Sequence, residues 1–421
     1  MMTVEGKHAA SSSEPCLKSI EDKGHAALHR PARCRPKRAS PCKMAATEAS
    51  RRSSLTTNTT TMSSSLEPAT TPDTPAVRTR RNSGRAVLGD VARLAGVSTA
   101  TVSRVYNEPD KVSPSVRERV LQAATTLNWI PNAAGRALAS TRTHIAGAII
   151  PTLDDQVFAS QVAGMQAVFA SRGITLFLGC SNYDPAQALT QVQAMLARGV
   201  EVIAIVGEAH PPELFDALRQ ARVPYAITYA YREGSPHHCI GFDNRAAFVE
   251  IAEHLIELGH RTFAAVIQPV RDNDRVQARV AGIREALERH GIAVRPSHMH
   301  EGPATIAFGR QSLRAIWQGA DRRPTAIICG NDQLAIGVLL EAAELGIKVP
   351  QQLSVTGFDD VAIAQQIHPS LTTMRVDTAE IGRRAAQYLL DVLDRKENLE
   401  SGIVQPVLIV RESTARVRKV D

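Results

Sequence analysis

From Val87 onward, the order of apolar and polar residues reads as three short helices followed by a long alternation of strands and helices. Leu88–Ala95 places Leu88, Val91, Ala92 and Ala95 at i, i+3, i+4 and i+7, one face of an amphipathic helix. Gly96-Val97-Ser98 interrupts it, and Ser98 has the chemistry of an N-cap for a second helix over Thr99–Asn107. Ser113-Pro114 opens a third helix, with Ser as cap and Pro at the first helical position, running to about Leu127. Ile130-Pro131-Asn132 breaks that helix, and a short segment, Asn132–Ala139, follows.

From Thr143 the period changes. Apolar runs IAGAIIP, ITLFLG, VIAIV and PYAIT alternate with helical stretches Ala159–Arg172, Pro185–Arg198 and Pro211–Ala221. After Phe242 the rhythm restarts. Helices Arg245–Leu258, Arg275–His290, Ala307–Gln318 and Gln333–Leu345 are separated by strands FAAVI, one near His298, AIIC and LSVTGF. Apolar strands alternating with helices predict parallel sheets covered on both faces. Two sets predict two lobes, with a ligand crevice at the carboxyl ends of the strands. The fold class is therefore α plus α/β: a small helical headpiece joined by a hinge to a two-lobed core. The boundaries are a tail over 1–84, a headpiece over 85–131, a hinge over 132–142 and a core over 143–415.

Composition changes this picture mainly at the front. The first 84 residues are rich in Ser, Thr, Pro and Ala, lack Phe, Trp and Tyr, and contain runs such as SLTTNTTTMSSS. Such a segment buries too little apolar surface to offset its ordering entropy, so it is expected to be disordered, or to precede the true start, with Met44 and Met62 as alternatives. The formal net charge of the 421-residue chain is +7. Residues 1–85 hold about 15 basic against about 7 acidic side chains and residues 86–142 about 7 against about 4, so the remainder is slightly acidic. A basic front on a near-neutral body suits a polyanionic partner. Six cysteines occur without CxxC pairing; Cys16, Cys34 and Cys42 lie in the tail, and Cys180, Cys239 and Cys329 read as buried thiols. No run approaches a membrane span and no signal peptide is read, so a cytoplasmic protein is expected.

The segment LGDVARLAGVSTATVSRVYN, Leu88–Asn107, has the layout of a helix-turn-helix. Ala92, Gly96, Val97 and Val102 suit the close crossing of two helices. Thr99, Ala100 and Arg104 would face the major groove, with Arg104 able to bind guanine at two acceptors. Ser98, Thr101 and Ser103 suit phosphate contacts. This segment, with VSPSVRERV, IPNAAGRALAS, CGNDQLAIG, VPQQLSVTGFDD and LTTMRV in order, resembles the LacI/GalR family of bacterial repressors, over everything but the tail.

The resemblance implies a periplasmic-binding-protein-like core and a DNA-binding regulator, a repressor in sense, acting as a homodimer on a near-palindromic operator. It also implies a hinge helix over Asn132–Ala139, with Asn132 and Arg136 among the DNA contacts and Leu138 wedged into the minor groove. An eight-residue helix is unstable alone, which fits folding on DNA. Tyr106 and Trp129 depart from the family pattern, which has an aliphatic residue and Tyr there. Carried over by motif, Arg279 in ARVAG, Asn331 in CGNDQ, Asp359 in GFDD, and Phe158 from the other lobe should face the effector. Such a set suits a polyhydroxylated anion: Arg as a bidentate clamp on carboxylate, Asn and Asp on hydroxyls. PTLDDQVFASQVAGMQAV, with IPNAAGRALAS and IGFDN, looks most like the gluconate-utilisation branch, which implies a sugar acid. No cofactor, metal site or catalytic residue is expected. GxGxxG after the first strand, the Walker loop, HExxH and GxSxG are missing, and His237-His238 reads as a solvated loop. The alternatives are a sugar-related enzyme, or a solute-binding protein, which would need a signal peptide and no helix-turn-helix.

Overall fold

The computed structural model describes residues 86–130, 142–319, 323–396, 399 and 402–417. In the headpiece, α1 (Leu88–Ala95), α2 (Thr99–Asn107) and α3 (Pro114–Thr126) enclose a small core. α1 stops at Gly96, which sits at φ +65°. The N–H groups of Gly96 and Val97 there donate back to the carbonyls of Arg93 and Ala92. Glycine takes this left-handed geometry without a Cβ penalty, so the turn is as tight as the sequence demands. Val91, Ala92 and Ala95 meet Val102 and Val105 of α2 and Val120, Ala123 and Ala124 of α3. Tyr106 and Trp129 pack edge-on at the margin of this core, with ring centroids 5.5 Å apart. The two departures from the family pattern thus touch each other.

The core holds two six-stranded sheets. The first contains β1 (Ile145–Ile150), β2 (Thr175–Cys180), β3 (Val202–Val206), β4 (Tyr225–Thr228), β5 (Cys239–Gly241) and β11 (Gly402–Ile403). Their order is β11-β5-β4-β3-β1-β2, with every pairing parallel. The second sheet contains β6 (Phe263–Ile267), β7 (Met299–Glu301), β8 (Ala326–Cys329), β9 (Ser354–Asp359), β10 (Thr372–Arg375) and β12 (Val407–Ile409), ordered β12-β10-β9-β8-β6-β7. Only its edge pair, β10 with β12, is antiparallel. β3, β6 and β8 are buried along their whole length, as continuous apolar strands covered on both faces must be.

Helices α4 (Gln156–Ser171), α5 (Pro185–Leu196) and α6 (Pro212–Ala221) follow strands of the first lobe. Helices α7 (Asn244–Glu257), α8 (Asp274–Arg289), α9 (Ile306–Gly319) and α10 (Asp332–Glu344) belong to the second. The sequence reading has the first lobe complete before Phe242. Instead the chain returns to it: α11 (Thr378–Leu393) packs on α4, and β11 extends the first sheet. The close fit rests on two glycines. A Cβ on Gly164 would lie 2.2 Å from the Ala379 carbonyl oxygen, and one on Gly382 would lie 2.0 Å from that of Gln161. Among the described residues no helix is long and apolar enough to cross a membrane.

Candidate DNA-reading helix and ligand cleft

Ser98 begins α2 as the pattern predicts. Its Oγ accepts the Thr101 N–H at 3.1 Å and lies 2.9 Å from the Thr101 hydroxyl. The cap satisfies one of the free amides of the first turn and ties two of the expected phosphate-contacting side chains to each other. Ser98, Thr99, Ala100 and Arg104 are exposed, Thr101 and Ser103 half-buried, while Val102 and Val105 face inward. α2 therefore presents one polar face, its N-terminal side chains on one surface, as a groove-entering helix requires. Ser103 accepts a hydrogen bond from Asn107, 3.1 Å away. Asn132, Arg136 and Leu138 lie outside the described residues.

At the carboxyl ends of the two sheets lies a narrow cleft with a cavity volume of about 30 Å³, room for about two waters as it stands. Phe158, Arg279 and Asp359 come together there from α4, α8 and the end of β9. Asn331 does not line the cleft. Its side chain accepts the Leu334 N–H at 3.1 Å and caps α10. It is an ordinary helix cap one residue beyond Gly330, whose carbonyl meets Arg279.

Arg279 is held on several sides. Its Nε–H donates to Asn244 Oδ1 at 2.9 Å and its Nη1 to the Gly330 carbonyl at 2.8 Å. The guanidinium carbon stands 4.1 Å from the centroid of Phe358. With Nε engaged by Asn244 and Nη1 by the Gly330 carbonyl, the arginine is held in one orientation rather than free to swing. Asp359 accepts the Tyr229 hydroxyl at 2.5 Å, from the opposite lobe. Burial pushes the Asp359 carboxyl well above the usual range and the Tyr229 phenol up as well. The Asp359 backbone sits at φ 108°, a strained value for a non-glycine residue.

Sequence reasoning missed Asp155, Tyr183, Tyr229 and Arg275, which also line the cleft. Tyr183 and Tyr229 follow the ends of β2 and β4, and Asp155 follows β1, where the crevice rule points. Burial raises the Asp155 carboxyl, while Tyr183, at 46% exposure, stands at the mouth of the cleft. Burial thus works against charge on both cleft carboxyls, beside the two arginines Arg275 and Arg279.

His237 and His238 do not form a solvated loop. His237 stacks on Phe215 with centroids 4.4 Å apart and takes a 2.7 Å hydrogen bond with Tyr225, while His238 stacks on Tyr388 at 3.7 Å. Cys239 and Cys329 are buried and Cys180 partly so, all as free thiols. No group of three or more metal-ligating side chains occurs among the described residues.

The model of bacterial regulatory proteins of the lacI family matches residues 87–132, and that of the periplasmic binding protein-like domain matches residues 252–414. Catabolite control protein A of Priestia megaterium is 31% identical over 316 residues, spanning 75% of this chain and 95% of that protein. A LacI-family transcriptional regulator from Silicibacter pomeroyi has a solved structure with TM-score 0.73 and 28% identity, over 79% of this chain and all of that one. The lac repressor dimer bound to operator and the anti-inducer ONPF superposes with TM-score 0.70 at 27% identity, over 79% and 99%. The repressor CytR of Escherichia coli and the regulator GntR of Pseudomonas aeruginosa match at 28% and 30%, so no single branch, the gluconate branch included, is singled out. With headpiece, core and relatives in agreement, this chain belongs to the lacI family of bacterial regulatory proteins.

Proposed function

We propose that the chain is a transcriptional repressor rather than an enzyme. A homodimer binds near-palindromic operator DNA through α2 and the 132–142 hinge, with Leu138 as the minor-groove wedge, and a sugar acid such as gluconate in the cleft sets its affinity. The observation that carries the ligand class is the charge of the cleft. Two arginines, Arg275 and Arg279, line it, while the Asp359 carboxylate is buried and engaged by the Tyr229 hydroxyl, which favours an anion carrying hydroxyls. The exposed, polar N-terminal face of α2 supports the DNA-reading role. Two symmetric headpieces on two half-sites would give the palindrome, and lobe closure on the ligand would change the headpiece spacing. Fluorescence anisotropy on DNA from upstream of the chain's own gene, with and without gluconate and related sugar acids, tests this. Tight, salt-resistant binding released by one acid supports the reading. Tight binding indifferent to all of them removes the ligand class, and loss of specific binding removes the repressor.

A further inference from the structure

Beside the cleft lies a second recess, lined by Ser181, His210, Asp272 and Asp274 among others, and sharing Tyr183 and Arg275 with it. Asp274 opens α8 in the second lobe. Its Oδ2 accepts the N–H of Glu208 at 3.0 Å and its Oδ1 the N–H of Ala209 at 3.4 Å, both just beyond β3 in the first lobe. We infer that Asp274 is a positioning residue that clasps the two lobes together before any effector binds.

Three observations support the clasp. Both accepting atoms belong to one carboxylate and both donors to one turn of the opposite lobe, so the contact fixes orientation as well as distance. That turn is rigid: Glu208 accepts hydrogen bonds from Arg232 at 2.6 Å and from the Ser235 hydroxyl. Finally, the approach needs a glycine. Gly207 sits at φ +79°, and a Cβ there would lie 1.8 Å from Arg275 Nη1 and 2.7 Å from Asp274 Oδ1. Asp274 itself lines only the neighbouring recess, and its Oδ1 also accepts from Nη1 of Arg275 at 3.4 Å, a residue that lines both. It therefore acts on effector response through lobe closure and through the placement of Arg275, without itself lining the cleft. A ligand's apparent affinity scales with the fraction of protein already in the binding-competent arrangement, so the clasp tunes response through that population. Charge-assisted hydrogen bonds are strong enough for their loss to move such a population by about tenfold or more.

The inference rests on the cleft being the effector site only for its consequence; the clasp itself is tested without any ligand or DNA. Donor and acceptor dyes are placed by unnatural amino acids at Arg219 in α6 and Glu288 in α8, both exposed. Energy transfer is then read in the full-length, ligand-free protein. Asp274→Ala and Gly207→Ala should both shift the population toward longer inter-lobe distances, by about tenfold in the open-to-closed ratio. Asp274→Asn, which keeps one acceptor, should fall between them and the parent, and Asp272→Ala, two residues earlier in the loop that leads into α8, should match the parent. Unchanged transfer in Asp274→Ala and Gly207→Ala, with melting temperatures showing both folded, overturns the clasp. An equal shift in Asp272→Ala overturns it too, because the effect would then belong to the loop's charge and not to the bridge.

Discussion

Replacing Arg279 with Ala separates the two halves of the mechanism. The change deletes a 2.9 Å hydrogen bond to Asn244, a 2.8 Å hydrogen bond to the Gly330 carbonyl and the stack on Phe358. Hydrogen bonds from a charged donor are worth about 1.5–3 kcal/mol each, and the stack about 0.5–2 kcal/mol. Water entering from the open cleft will re-solvate the two orphaned acceptors, so the net loss is set at about 3–5 kcal/mol. A domain stable by about 5–15 kcal/mol tolerates this, and the variant remains folded with a lowered denaturation midpoint. Headpiece contacts are untouched, so operator affinity should stay within about threefold, while the concentration of sugar acid needed for release rises by more than about tenfold. Arg279→Lys keeps a charge without the planar fork and should be intermediate in both respects. Urea unfolding and anisotropy titrations on one preparation give both numbers. An Arg279→Ala protein that is released at the parent's concentration of sugar acid would refute the site.

Three further outcomes follow from particular contacts. Ser98→Ala removes the cap of α2 and should cost the headpiece about 1 kcal/mol while weakening DNA binding on all sequences alike; unchanged headpiece melting by circular dichroism would contradict it. Gly382→Ala drives a Cβ into the Gln161 carbonyl, so α4 and α11 must separate at a cost of about 1–3 kcal/mol; calorimetry showing the parent melting temperature would show that the two helices do not pack this closely. Buried Asp332 is pushed up to about 7, mainly by desolvation, against hydrogen bonds from Thr373 and Val361. The folded state then holds a proton that the unfolded chain releases near its ordinary 3.8, so this group lowers stability as pH rises between those values, by up to about 1.4 kcal/mol per unit. Comparing the pH dependence of urea midpoints for the parent and Asp332→Asn isolates that slope, and identical slopes from pH 4 to 7 would show that Asp332 is already ionised.

Much of this architecture is legible in the chain because each lobe repeats one period. The α1 and α2 boundaries coincide with the pattern, since Gly96 and Ser98 are unambiguous stop and start signals. The helix over Thr378–Leu393 was not read, and its place is not local information. Nothing in its apolar face of Ile381, Ala385, Ala386 and Leu389 says which lobe it covers; that is decided by the mating of Gly382 with the Gln161 carbonyl. The cleft was partly legible. Arg279 and Asp359 stand at the ends of recognisable strings, and the structure brings them together with Phe158. Asn331 stands in a string of its own, CGNDQ, but spends its side chain on a helix cap, a role that an Asn at a helix start equally allows. Tyr229 was invisible because its role depends on a partner 130 positions away, Asp359. Asp274 was invisible for the same reason: a lone acidic residue at a helix start reads as a response to the helix dipole, and only the opposite lobe shows what else it holds.

On the proposed reading, one molecule couples specific DNA binding to an anion in the cleft. It is tested most directly by anisotropy of the full-length protein on DNA from upstream of its own gene, across a salt series, with gluconate and related sugar acids titrated in. Binding to that DNA should be tight and outlast binding to scrambled DNA as salt rises, with release by one acid at a concentration that leaves scrambled DNA unaffected. Equal affinity for both DNAs at every salt concentration would contradict it.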